Sequence, residues 1–157
     1  AYRTEMQLTL TSRNDIHLIA SHGARDVRIG ESLLGAPLIV SANSLVPDWA
    51  ARGASALDAA LLEPLFALDP EVVILDMTRL IQLDTTGLEG LENLRDKLHK
   101  RGCKLIVCGL NSQPGSLLFR SGFIDHLGDD NVCLDLSSAI RRAYILLPNL
   151  MCGEDDY

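Results

Sequence analysis

Four cysteines, four histidines and one hydroxyl-rich turn are the residues of this chain whose types and spacing bear on chemistry. The cysteines are Cys103, Cys108, Cys133 and Cys152, and no two of them form a C-x-x-C pair. Cys103 and Cys108 flank a strongly apolar stretch, where a free thiol packs as a small hydrophobe. Cys108 is a nucleophile only in principle, because reactivity needs a stabilised thiolate and the end of an apolar strand disfavours one. His17, His22, His99 and His126 are scattered, with no close pair at metal-ligand spacing. No Walker loop, dinucleotide fingerprint, H-E-x-x-H or G-x-S-x-G occurs. An enzyme built on Cys108 or Asp84 therefore has no supporting constellation, and neither metal nor cofactor is expected.

The best functional candidate is Asp84-Thr85-Thr86-Gly87-Leu88. It leads into a helix N-terminus, where unpaired backbone N–H groups and the helix dipole favour an anion. A phosphate on Thr85 or Thr86 sits close to those donors while Asp84 opposes it, so the local charge balance can act as a switch. A plain structural role competes: Thr86 and Glu89 have capping-box spacing, and Asp84 supports the same first turn.

The elements that must position this turn read as follows. Val72 to Leu75 is a β-branched-rich run, expected of a strand covered on both faces. A helix from Thr86 through Arg101 carries Leu88, Leu91, Leu94 and Leu98 on one side and stops at Gly102. Leu105 to Val107 is the next strand, Ser112 to Ser121 a helix closed by Gly122, and Val132 to Leu134 a short strand. Asp135 caps a last helix through Leu147, before Pro148 and the acidic Glu154-Asp155-Asp156, expected to be disordered. Upstream, Met6 to Leu10 and Ile16 to Ala20 are strand candidates separated by the polar turn Thr11 to Asp15. Asp26 to Ile29 before Gly30 and Pro37 to Val40 also read as strands, and Ser44 to Gly53 as a loop. From Ser55 the pattern becomes alternating helix and strand. Ser55 and Asp58 have cap spacing, Leu57 to Leu68 is helical in period, Pro64 predicts a kink or early break, and Asp69-Pro70 the end.

The expected fold is one α/β domain spanning residues 1–157, with a mixed sheet and helices packed against it. Residues 1–70 form a strand-rich part, 71–147 a βαβαβα part, and 148–157 an acidic tail. At 157 residues, 47% hydrophobic and 22% charged, the chain can bury a core without metals or disulfides. Aromatics are only 4%, so Leu, Ile, Val and Ala must build that core. A net charge of −7 argues against a nucleic-acid partner, and the densest basic stretch, Arg95 to Arg101 with Asp96, Lys97 and Lys100, reads as a solvated helix face. Apolar runs are too short for a membrane span, and the thiols are expected to be reduced in the cytoplasm.

Val72-Val73-Ile74-Leu75-Asp76, then Leu83 to Leu88, then Arg101-Gly102-Cys103-Lys104-Leu105 and Leu117 to Phe123 together resemble the STAS domain over about residues 70–145. That family includes the cytoplasmic tails of SulP anion transporters and the bacterial anti-sigma-factor antagonists. In the antagonists a hydroxyl residue directly after the Asp of this loop is phosphorylated by a partner kinase, and the matching residue is Thr85. Thr stands where the antagonists more usually carry Ser, which leans the resemblance toward the transporter branch. The front is different: His22 to Glu31, Pro37 to Val40 and Val46 to Trp49 are similar to a small α/β family that includes a mitochondrial complex I assembly factor. Asp76-Met77-Thr78 stands where that family has Gly-Thr-Gly, and the two resemblances meet near Pro70 to Asp76.

The resemblance implies a non-enzymatic interaction or regulatory module with a protein partner, and a nucleotide or anion as a further ligand at the Asp84 to Leu88 loop. Two alternatives stand beside it: a module of the complex I assembly factor type, and a natural or engineered hybrid with no selected function.

Overall fold

The computed structural model describes residues 19–22, 26–29, 31–35, 38–41, 45–46 and 59–147. The chain divides into two compact units, residues 1–52 and 53–157, and the division lies beside Ser55, where the sequence pattern changes.

The described residues of the first unit are mostly in strands. β1 (Ile19–His22), β2 (Asp26–Ile29) and β3 (Ser32–Gly35) form an antiparallel sheet in that order. β4 (Ile39–Val40) and β5 (Leu45–Val46) form a two-stranded antiparallel ladder. The loop expected over Ser44 to Gly53 is thus corrected at Leu45–Val46, where the backbone pairs with Val40 and Ile39. Two apolar residues suffice to pair with a facing strand, yet are too few for periodicity to register. β3 has no signal in the sequence, because Ser32-Leu33-Leu34-Gly35 shows no alternation. The expected strand at Met6 to Leu10, the turn Thr11 to Asp15, the cap Ser55/Asp58, and the tail with Cys152 lie outside the described residues.

The second unit is α/β. Helix α1 (Ala59–Ala67) runs through Pro64 without ending there. Asp69 then takes φ 47°, a left-handed conformation that Asp tolerates better than most residues, and ends the segment where Asp69-Pro70 predicted. β6 (Val72–Asp76), β7 (Lys104–Cys108) and β8 (Val132–Cys133) form a parallel sheet in that order. Helix α2 (Thr85–Lys100) connects β6 to β7. Helices α3 (Ser112–Arg120) and α4 (Phe123–Leu127) and a 3-10 turn at Asp129–Asn131 connect β7 to β8. Helix α5 (Leu136–Leu146) follows, its Asp135 cap accepting from Ser138 N at 2.8 Å as the sequence predicts.

Strand alternation separates two apolar faces. Ile106 and Cys108 are buried with Ala139 of α5, and Val72, Ile74, Cys133, Leu136, Ala143 and Leu146 pack around them. Val73, Leu105 and Val107 point the other way and are also buried, and α2 lies against β7. Leu91, Leu94 and Leu98 of α2 are buried at the predicted helical spacing, each contributing about 1.5–3 kcal/mol relative to exposure. Gly102, at φ 74°, lets the chain leave α2, with Cys103 N donating to Leu98 O and Lys104 N to Glu71 O as β7 begins. Arg95 lies 5.0 Å from the Phe123 ring, a cation–π contact tying α2 to α4.

Candidate functional site

Parallel strands with helical crossovers deliver their loops to one edge of the sheet, beyond the strands' C-terminal ends, where α/β proteins place their sites. Here those loops are residues 77–84 after β6, 109–111 after β7, and 134–135 after β8.

Asp84 is the cap of α2. Its backbone is extended, with φ −100° and ψ −179°, and its Oδ1 accepts from Gly87 N at 2.7 Å. Its carbonyl accepts from Leu88 N at 2.9 Å, the first bond of the helix. This corrects the expected Thr86/Glu89 capping box: Thr86 is already the second helical residue, and the helix begins two positions earlier than the Thr-x-x-Glu spacing suggested. Asp wins because its carboxylate reaches the N–H three residues on and complements the positive end of the helix. Thr85 and Thr86 are left exposed, Gly87 is buried, and Leu88 is half-buried.

The loop leading to Asp84 is pinned along its length. Met77 N donates to Cys108 O at 2.9 Å, which ties the loop's root to the end of β7. Asp76 Oδ1 accepts from Thr78 N at 3.0 Å and from Thr78 Oγ1 at 2.6 Å. Asn111 Nδ2 donates to Thr78 O at 2.9 Å and to Leu80 O at 2.8 Å. Gln113 takes Leu83 with both ends of its amide, Oε1 accepting from Leu83 N at 2.7 Å and Nε2 donating to Leu83 O at 2.9 Å. Gly109 passes so close beneath Thr78 and Asp76 that a Cβ there would collide with Thr78 Oγ1. Between these pins Met77 and Leu83 are buried, while Ile81 is 72% exposed. Leu134, in the loop after β8, is 86% exposed.

The sequence points to the Asp84 to Leu88 turn but not to Asn111, Gln113 or Thr78. An amide at a helix start reads as a cap. Asn111 does sit at the cap of α3, but makes no side-chain cap bond because its amide is committed to Thr78 and Leu80 instead. A Gly followed shortly by two amides was the available signal, and it carried no pointer to partners some thirty residues back.

The remaining candidates lie elsewhere. Cys108 is wholly buried, and burial first, then the charges of Asp76, Cys133 and Asp135, pushes its thiol up to about 12. Burial also raises Cys103. Lys97, Lys100 and Arg101 are exposed, and with Glu63, Phe66 and Ala67 they line two open depressions of about 400 and 350 Å³. Arg101 stacks 4.5 Å from the Phe66 ring there. Among the described residues no group of His, Cys, Asp and Glu has the arrangement of a metal site, and no helix is long and apolar enough to cross a membrane.

Comparison with known proteins gives one family-model match, the STAS domain, over residues 19–139. The match takes in the front strands and runs past residues 70–76, where the sequence suggested a seam between two families. "Sulfate transporter 1.2" of Arabidopsis thaliana is 34% identical over 83 residues, covering 50% of this chain and 12% of that protein. "Putative sulfate transporter YvdB" of Bacillus subtilis is 32% identical over 72 residues, 46% of this chain and 13% of that protein. The chain therefore spans only a small part of the relatives it matches. Among solved structures, a sulfate transporter family protein from Wolinella succinogenes matches at TM-score 0.49 and 33% identity, over 50% of this chain and 65% of that one. The SulP transporter STAS domain from Vibrio cholerae matches at TM-score 0.46 and 24% identity, over 61% and 77%.

Proposed function

This chain belongs to the STAS domain family, and on that premise we propose that it is a non-catalytic recognition module from the cytoplasmic region of an anion transporter. Its docking surface is the loop of residues 77–84 with the first turn of α2, and its partner is a protein. The observation that carries this reading is the pairing of an exposed hydroxyl with a held loop: Thr85 is exposed one residue after the Asp84 cap, and Ile81 projects from a segment pinned by Asn111 and Gln113. An exposed apolar side chain on a fixed backbone is the kind of anchor protein interfaces use.

Phosphorylation of Thr85 regulates this surface. It adds about −1.5 to −2 charges beside a carboxylate that already occupies the Gly87 N–H. The incoming charge therefore meets repulsion from Asp84 as well as attraction from the helix end. A small anion or nucleotide alone gains less from the same turn, because Asp84 has taken one of its donors.

The test is phosphate mapping by mass spectrometry after incubation with the kinase activity of a cell extract and ATP. A phosphate at Thr85, lost with its mobility shift in Thr85→Ala and kept in Thr86→Ala, supports the reading. Phosphate at other positions only, or none, overturns the regulatory half. Binding of a partner that Ile81→Asp leaves unchanged overturns the docking half.

A further inference from the structure

Cys108 and Cys133 are register partners on neighbouring parallel strands, and both are free thiols. They share one face of the sheet, since Cys133 packs against the cluster that contains Cys108. We propose that this pair is a reversible modification site, at which a low-molecular-weight disulfide closes a Cys108–Cys133 bond between β7 and β8.

Neighbouring strands run about 4.8 Å apart, within the Cα separation that a disulfide bridges. Side chains that stand parallel must still lean together, because Cβ atoms in a disulfide sit about 3.5–4.5 Å apart. The bond therefore closes with some strain, and strained disulfides are the readily reduced ones. β8 has two residues and takes up that adjustment at the end of its sheet. Cys103 is no rival partner: it lies five residues from Cys108 along the strand direction, about 16 Å away at strand rise.

The two thiols have different roles. Cys133 is half-buried, so it meets the oxidant, while Cys108 is closed off and reacts second. Cys133 Sγ gives its proton to solvent and attacks one sulfur of the small disulfide. That S–S bond breaks, one small thiolate leaves, and a mixed disulfide remains on Cys133. Cys108 Sγ then loses its proton and attacks Cys133 Sγ, expelling the second small thiolate. The protein dithiol is oxidised by two electrons, and the small disulfide is reduced to two thiols. Burial raises both thiols; Asp76 and Asp135 raise Cys108 further, and at Cys133 Arg142 lowers what Asp135 raises. Closure is therefore slow near neutral pH and accelerates as pH rises. Cys108 is one hydrogen bond away from the site loop, since its carbonyl accepts from Met77 N. This inference stands independently of what the loop recognises.

The experiment incubates the folded chain with oxidised glutathione at pH 8, quenches with acid, unfolds, alkylates and maps the peptides. The expected result is a cross-linked peptide pair containing Cys108 and Cys133, with neither of these two cysteines alkylatable. Reduction should restore alkylation of both. Cys133→Ser should leave Cys108 fully alkylatable, while Cys103→Ser should still form the link; circular dichroism verifies that each variant is folded. A glutathione adduct that persists on Cys133, a link through Cys103 or Cys152, or a link between two chains overturns the proposal.

Discussion

Gln113 and Leu83, thirty positions apart, exchange two hydrogen bonds, so that the side-chain amide of one serves as a peptide unit for the other. Leu83 is itself buried, and its backbone reaches Gln113 at the point where the loop turns into α2. The pair joins the entry of α2 to the first turn of α3.

Replacing Gln113 by Ala should therefore cost about 1–2 kcal/mol, for two hydrogen bonds worth about 1 kcal/mol each. The Leu83 amide should exchange with solvent faster, measured by hydrogen–deuterium exchange. Gln113→Glu keeps an acceptor for Leu83 N but faces Leu83 O with an oxygen, so it should fall between the two. Unchanged exchange at Leu83 in Gln113→Ala would mean the clamp does not hold in solution.

Asp84→Ala should lower stability by about 1 kcal/mol in urea unfolding, the usual cost of a lost helix cap. Asp84→Asn should retain most of it, because an amide oxygen still accepts from Gly87. Thr86→Ala should change little. The reverse order, with Thr86 costly and Asp84 cheap, would restore the capping box that the spacing of Thr86 and Glu89 suggests.

Gly109→Ala combines two penalties. An L side chain at φ 70° costs about 1–2 kcal/mol, and its Cβ meets Thr78 Oγ1. Thermal unfolding should show a loss greater than for the Thr78→Ala variant alone. The double variant Gly109→Ala with Thr78→Ala should relieve the clash with the hydroxyl, but neither the tight approach of the Cβ to Thr78 N and Asp76 Oδ1 nor the backbone cost.

Stability should fall in alkaline solution. An unfolded thiol titrates near pH 8.5, whereas folded Cys108 holds its proton to about 12. Between those values the folded state binds the extra proton, so the contribution is full below about pH 8.5 and is lost as pH rises toward 12. The slope from this group reaches at most about 1.4 kcal/mol per pH unit. Cys108→Ala should flatten urea-unfolding stability plotted against pH across that window; an unaltered slope would show that the thiol titrates alike in both states.

Much of the second unit was legible because its signals are local and repeated. Leu91, Leu94 and Leu98 recur at helical spacing, Val72 to Leu75 and Leu105 to Val107 are short apolar runs, and Gly102 and Asp135 punctuate their elements. What escaped notice depended on distant partners or on very few residues. Leu45–Val46 is a strand only because Val40 and Ile39 face it. The five residues of α4, beginning directly after Gly122, are too short to show a period. The Asp84 to Leu88 turn reads as a helix start because helix starts have a residue signature, though the Thr86/Glu89 spacing points to the wrong cap. The amides that hold the turn's approach were invisible, since nothing near Asn111 or Gln113 in the chain names Thr78, Leu80 or Leu83.

The held loop also bears on how a partner would arrive. A segment that must order itself on contact gives up part of its binding energy to lost conformational freedom, about 0.5–1.5 kcal/mol for each mobile side chain immobilised. The backbone around Ile81 is fastened at Met77, Thr78, Leu80 and Leu83, with attachments that reach β7 and α3. Little backbone freedom is left there to lose, so the entropic toll of docking falls mainly on the side chains. Variants that loosen the fastening should bind more weakly without touching any atom of the partner.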